Sequence, residues 1–265
     1  METEFFDSHA HYNDEKFAED REDVIEKIYE SGVTKFVSAG YDVESSIYGL
    51  KLAYEKEYIY TTVGVSPNDV KESIEETEIE IKKIEEILKS EIENKKIVAI
   101  GEIGLDYYWN KENKEIQKYA FIEQIKLANK YNLPIVIHTR EAVMDTLDIL
   151  KNVQAANKKG IFHCCPLNRE LVKEALKLDF YISFAGPVTF KNAKNAEEIV
   201  QMVPLEKALI ETDSPYLTPE PKRGTRNDSR NVKLIAQKIA DFKGITIEEV
   251  AKATYKNAMK IFNIK

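Results

Sequence analysis

Four histidines in 265 residues are few enough to be read one by one. His9 and His11 stand in Asp-Ser-His-Ala-His, just behind a short apolar run. A spacing of two along an extended chain turns both rings to the same face. His138 closes Pro-Ile-Val-Ile, and His163 closes Gly-Ile-Phe. All four therefore fall at the carboxyl ends of expected strands. Two carboxylates occupy matching places, Glu102 after Ile-Val-Ala-Ile-Gly and Asp213 after Ala-Leu-Ile-Glu-Thr. An acid at a strand end can simply cap the next helix. A single histidine there is more often a satisfied polar residue than a ligand, but four out of four is a pattern. Imidazole mixed with carboxylate suits Zn²⁺, Mn²⁺, Fe or Ni, whereas Mg²⁺ prefers mostly oxygen. Six donors exceed the needs of one tetrahedral ion. Two divalent ions sharing a bridging carboxylate, here Glu102, use them all.

The elements that must position these donors alternate along the chain. Strands are expected at residues 4–8, 35–39, 59–63, 97–100, 134–138, 160–163, 181–184 and 208–211, each followed by a helix-like segment. Residues 18–30 place Val24, Ile25 and Ile28 on one face. Residues 75–89 place Ile79, Ile81, Ile84 and Ile87 among charges, as a surface helix does. Residues 116–131, 170–177 and 232–242 follow the same rule, and a last helix opens on the capping-box pattern Thr246-x-x-Glu249. Strict β/α alternation implies a parallel sheet with right-handed crossovers. Eight units of about 33 residues suit an α/β protein of the (β/α)8 TIM-barrel type, as one domain over 1–265. No Gly-x-Gly-x-x-Gly follows the first strand, which disfavours a dinucleotide-binding sheet. Residues 214–226, rich in Pro and Gly, read as a loop.

Composition narrows the function. Apolar residues make up 43% and charged residues 32%, as in a globular chain. With 38 basic and 46 acidic residues the net charge is −8, so nucleic acid is not held by a broad basic surface. No apolar run is long enough for a membrane helix. The first residues lack a basic stretch of the signal-peptide kind. Adjacent Cys164 and Cys165 read as reduced thiols. These features predict a cytoplasmic protein with no membrane association and no stable protein partner.

Several stretches carry a resemblance. They are Asp7-Ser-His-Ala-His11, Gly101-Glu-Ile-Gly-Leu-Asp-Tyr107, Pro134-Ile-Val-Ile-His-Thr-Arg140, Phe162-His-Cys164, Tyr181-Ile-Ser-Phe184, Val188-Thr-Phe-Lys-Asn192 and Glu211-Thr-Asp-Ser-Pro-Tyr-Leu217, with Arg223-Gly, Arg226-Asn and residues 254–262. In this order they resemble the TatD family of metal-dependent hydrolases, among the amidohydrolase-like TIM barrels. The resemblance implies two divalent ions (Zn, Mn, Ni, Fe or Mg) on His9, His11, Glu102, His138, His163 and Asp213. It also implies phosphodiester hydrolysis, with deoxyribonuclease activity of the exonuclease type, while some relatives are similar to D-aminoacyl-tRNA deacylases. The chain departs from the family at two places. Ser66 and Asn68 in Gly64-Val-Ser-Pro-Asn68 stand where the family often has histidines. His163-Cys-Cys-Pro-Leu lacks the usual Ser-Gly after the strand-six histidine.

The expected chemistry follows. Two ions lower the proton affinity of a bridging water, and Asp213 takes its proton as general base. Catalysis thus falls to Asp213 and Glu102. Arg140 suits a bidentate grip on phosphate, with Tyr107, Arg223 and Arg226 as further substrate contacts. Asp106, Tyr107, Tyr108 and Trp109 crowd the turn after Glu102, where aromatic faces can stack on a base. The acidic surface favours short single-stranded or frayed DNA ends as substrate. The same site could instead cleave a carboxylic or aminoacyl ester or an amide, or serve as a metal-binding scaffold of low activity.

Overall fold

The structure, a computed structural model, describes residues 3–152, 157 and 159–265. In chain order it contains β1 (Phe5–Ala10), α1 (Arg21–Glu30), β2 (Val33–Ser38), α2 (Val43–Glu55), β3 (Ile59–Val63), α3 (Ile74–Glu91), β4 (Ile97–Asp106) and α4 (Lys114–Tyr131). There follow β5 (Ile135–Arg140), α5 (Val143–Asn152), β6 (Gly160–Phe162), α6 (Arg169–Lys177), β7 (Tyr181–Phe184), α7 (Ala196–Met202), β8 (Ala208–Ile210), α8 (Val232–Lys243) and α9 (Ile247–Ile261). The strand order is the chain order, β1 to β8. Among the described residues, no helix is long and apolar enough to cross a membrane. The chain divides into two compact units, one of Met1–Ser38 with His163–Lys265 and one of Ala39–Phe162.

In the first unit β1 runs parallel to β2, and β7 to β8. Every residue of β1 is buried, as expected for a strand covered on both faces. The register of β1 on β2 shifts between Asp7 and Ala10, across Ser8 and His9. Such an irregularity re-aims a side chain at the end of a strand. The chain leaving β8 returns to the end of β1. Asp213 N–H donates to the His9 carbonyl at 2.9 Å, and His11 N–H donates to the Ser214 carbonyl at 2.6 Å. Asp7, fully buried, fastens the same junction: its carboxylate accepts from Thr212 N–H at 2.9 Å and Thr212 Oγ1 at 2.5 Å. Helix α1 buries Val24, Ile25 and Ile28 as its periodicity predicted. The Thr246–Glu249 capping box opens α9 as expected.

In the second unit β3, β4, β5 and β6 pair in parallel. Helix α3 is capped by Ser73 and buries Ile81, Ile84 and Leu88. Ile79, expected on its apolar face, is 52% exposed. The larger difference is at β4. The strand does not stop at Ile100 but runs ten residues to Asp106, all of them buried, and Glu102 lies inside it. The Gly-Glu-Ile-Gly sequence suggests a turn, yet Gly104 serves a close approach between strands. It sits at φ 138°, and a Cβ there would meet the His138 carbonyl oxygen at 2.0 Å. The β4–β5 register shifts between Ile100 and Ile103, across Glu102, and then pairs Gly104 with His138 and Asp106 with Arg140.

Candidate metal centre

In the first unit three donors converge. His9 Nε2 and His11 Nε2 are 3.1 Å apart, and Asp213 Oδ1 lies 3.2 Å from His11 Nε2 and 3.7 Å from His9 Nε2. A ligand atom from each falls within 4.8 Å of the others. This donor set fits a divalent cation. Two imidazole nitrogens facing each other cannot both carry protons, so at least one presents a lone pair beside the carboxylate. A cation between them satisfies all three groups, and two nitrogens with one oxygen are donors that zinc and its neighbours accept. Asp213 holds its position in the left-handed region, at φ 56°, which an Asp tolerates better than most residues. Burial pushes the Asp213 carboxyl up. The hydrogen bond from His11 and the charges of His11, His163 and His9 outweigh burial and hold it at about 2. It is therefore an anion throughout the neutral range. His163 stacks on His9, with ring centroids 4.0 Å apart and planes at 17°. On its other side His163 Nδ1 faces Glu211 Oε1 at 3.4 Å.

The second unit brings Glu102 and His138 together, His138 Nδ1 lying 2.9 Å from Glu102 Oε1. His138 Nε2 is also 2.9 Å from Asp106 Oδ2. A carboxylate on each ring nitrogen fixes the imidazole plane, as carboxylates behind metal-binding histidines do. Burial pushes Asp106 up, but His138, the Trp109 N–H and Asn68 together bring it down to about 2. Asn68 donates to Asp106 Oδ2 at 3.3 Å, and Ser66 Oγ donates to Asp69 at 2.5 Å. The two residues that depart from the family pattern are thus tied to carboxylates.

Beneath Asp106 lies Gln117 of α4, fully buried. Its Oε1 accepts from Asp106 N–H at 2.8 Å, and its Nε2 donates to the Asp106 carbonyl at 3.0 Å and the Asn110 carbonyl at 2.9 Å. Replacing Gln117 with Leu strands these backbone groups without partners. We expect a loss of about 2–4 kcal/mol of stability, since each unsatisfied buried group costs roughly 1–3 kcal/mol. A lower urea midpoint at unchanged slope would report it; a loss below about 1 kcal/mol would show that the backbone finds other partners.

Glu211, Asp106 as the partner of His138, Asp7 and Gln117 were not among the expected site residues. The alternation Glu211-x-Asp213 at a strand end was a usable signal for the first, because a period of two turns both carboxylates to one face.

The expected substrate contacts differ in availability. Tyr107 is buried, and its hydroxyl donates to Asp145 at 2.7 Å. Arg226 donates to both oxygens of Asp20, at 2.8 and 2.6 Å, and to the Lys16 carbonyl at 2.7 Å. Its guanidinium is engaged in a clamp between two loops. Arg223 stacks on Phe190 at 4.1 Å. Arg140 is exposed and stacks on Tyr108 at 3.9 Å. Among the described residues neither Arg140 nor Arg223 meets a carboxylate. Cys164 and Cys165 form no disulfide, and burial pushes the Cys165 thiol well above its usual range.

The chain is similar to known proteins over nearly its whole length. A family model described as TatD related DNase matches residues 6–263. The chain is 44% identical over 259 residues to the metal-dependent hydrolase YabD of Bacillus subtilis, covering 98% of this chain and 99% of that protein. It is 34% identical over 261 residues to the metal-dependent hydrolase YcfH of Escherichia coli K12, covering 97% of this chain and 95% of that one. The solved structure of the TatD homologue YJJV from Escherichia coli K12 covers the whole of both chains with a TM-score of 0.91 at 24% identity. That likeness establishes the fold, and the expected (β/α)8 class is borne out by it.

Proposed function

Because this chain belongs to the TatD family of metal-dependent hydrolases, we propose that it hydrolyses phosphodiester bonds of nucleic acid, with DNA ends as the substrate. In this reading His9, His11, Glu102, His138, His163 and Asp213 hold two divalent ions, and residues 1–265 act as one hydrolase domain. The observation that carries the proposal is the convergence of His9, His11 and Asp213 on a common point. When bound, the ions supply positive charge that acidifies water and offsets charge developing on the diester oxygens. The side chains supply the rest. Asp213, ionised at neutral pH, accepts a proton from the attacking water. Glu102 and His138, in contact with each other, contribute the donors of the second unit. Arg140, without a carboxylate partner among the described residues, is placed to neutralise a phosphate. On a chain of net charge −8, attraction for an anionic substrate has to be local of this kind.

The test is a substrate panel on protein purified without chelator: an unstructured deoxyoligonucleotide, a lactone and an aminoacyl ester. Turnover of the oligonucleotide is expected. Stripping with EDTA should lower it at least a hundredfold, and added Mn²⁺ or Zn²⁺ should restore it. Metal-dependent turnover of the ester or lactone with none of the oligonucleotide would replace phosphorus by carbonyl carbon as the target.

A further inference from the structure

We propose that Tyr108, Trp109 and Arg140 form a shelf on which an unpaired nucleobase stacks while the Arg140 guanidinium takes the adjoining phosphate. The proposal rests on the phosphodiesterase reading and gives it a single-stranded substrate. The Arg140 guanidinium carbon lies 3.9 Å from the Tyr108 ring centroid and 5.3 Å from that of Trp109. The two rings meet edge to face at 4.7 Å and 86°. All three side chains face water; Tyr108 is 44% exposed and Trp109 68%. Beyond the cation–π contact itself, large aromatic surface left in water beside a cation that meets no carboxylate adds little to folding. It does match a ligand that offers a flat π-face and a negative charge together.

The shelf is also held still. Asp106 Oδ1 accepts the N–H groups of Tyr108 at 2.9 Å and Trp109 at 3.0 Å, while Oδ2 of the same carboxylate meets His138. Tyr107 N–H donates to the Arg140 carbonyl at 2.9 Å, closing the turn onto β5. Arg140 follows His138 by two residues on β5, so both project from the same side of the strand. One carboxylate therefore fixes a candidate ligand histidine and the aromatic turn beside it. Every base has a π-face, so stacking of this kind tolerates any sequence but requires that the base be out of a duplex. Tyr107 and Arg226 do not take part, since Asp145 and Asp20 already hold them.

Trp109 is the single tryptophan, so the intact protein reports on the shelf by its own fluorescence. The full-length chain is titrated with a short single-stranded deoxyoligonucleotide and with an abasic sugar-phosphate oligomer of the same length. Saturable quenching by the oligonucleotide is expected, with at least tenfold weaker response to the abasic oligomer. In turnover, Trp109→Ala should raise KM for the oligonucleotide about tenfold, and Trp109→Phe, which keeps a ring, should recover most of it. Equal quenching by the abasic oligomer, or an unchanged KM in Trp109→Ala, overturns the shelf. Cleavage without selective quenching rejects the shelf alone. Selective quenching without cleavage supports the shelf and rejects the phosphodiesterase reading.

Discussion

Replacing Asp213 with Asn is expected to lower kcat on the oligonucleotide by about a thousandfold, even with Mn²⁺ or Zn²⁺ in excess. The change is nearly isosteric and keeps one oxygen within reach of His11. It removes the negative charge that two imidazoles at 3.2 and 3.7 Å now share, and it removes the proposed base. General-base catalysis alone contributes roughly 10²–10⁴-fold, and a thousandfold loss corresponds to about 4 kcal/mol of barrier. The backbone should survive, because Asn adopts the left-handed conformation as readily as Asp and the Asp213 N–H to His9 carbonyl bond uses no side-chain atom. Metal content measured by mass spectrometry separates the two roles. A variant that keeps its metal and loses turnover has lost the base; one that also loses metal has lost a ligand whose charge mattered. Retention of more than a tenth of wild-type kcat at saturating metal would remove Asp213 from the reaction.

Much of the site is legible in the sequence because its parts are rare and placed by a simple rule. Histidines that close apolar runs can be found without knowing the packing, and β/α periodicity is a local property. The strand expected at 97–100 falls short of β4 for an equally local reason. Glycine normally marks a turn, whereas Gly104 is needed where β4 passes within contact of the His138 carbonyl. The register shifts across His9 and Glu102 are set by strand pairing, which leaves no trace in either segment alone. Partners are harder still. Nothing near Asp7 announces Thr212, 205 positions away, and nothing near Arg226 announces Asp20. An arginine beside a glycine in a loop looks like a phosphate clamp until tertiary structure shows which acid holds it. Gln117 and Gln124 are hidden in a different way: both are buried polar residues on α4, and Gln124 bonds Val65 N–H at 2.7 Å and the Val65 carbonyl at 2.9 Å. Helical periodicity would assign such positions to exposed or apolar residues, not to side chains that satisfy loop backbone.

Metal affinity should fall between pH 7.5 and 5.5, because the imidazole ligands take up protons as the pH drops. A proton and a metal ion compete for the same ring nitrogen. Each histidine that must be deprotonated to bind weakens the affinity as protons compete for its ring nitrogen. His9 and His11 both contribute to the fall, and a third ligand such as His163 would steepen it. The carboxylate adds no slope here. Asp213 is held at about 2, so it is fully ionised at both ends of the interval and takes up no proton as the pH drops. The sign is therefore fixed: acid weakens binding, through nitrogen and not oxygen. Competition titrations with a Zn²⁺ indicator at pH 7.5, 6.5 and 5.5 would measure it. In Asp213→Asn the affinity should be lower at every pH. In His11→Ala the ratio between pH 7.5 and 5.5 should shrink. A ratio near one in the wild-type protein would mean that the cation does not sit on these histidines, and the centre would have to be sought elsewhere.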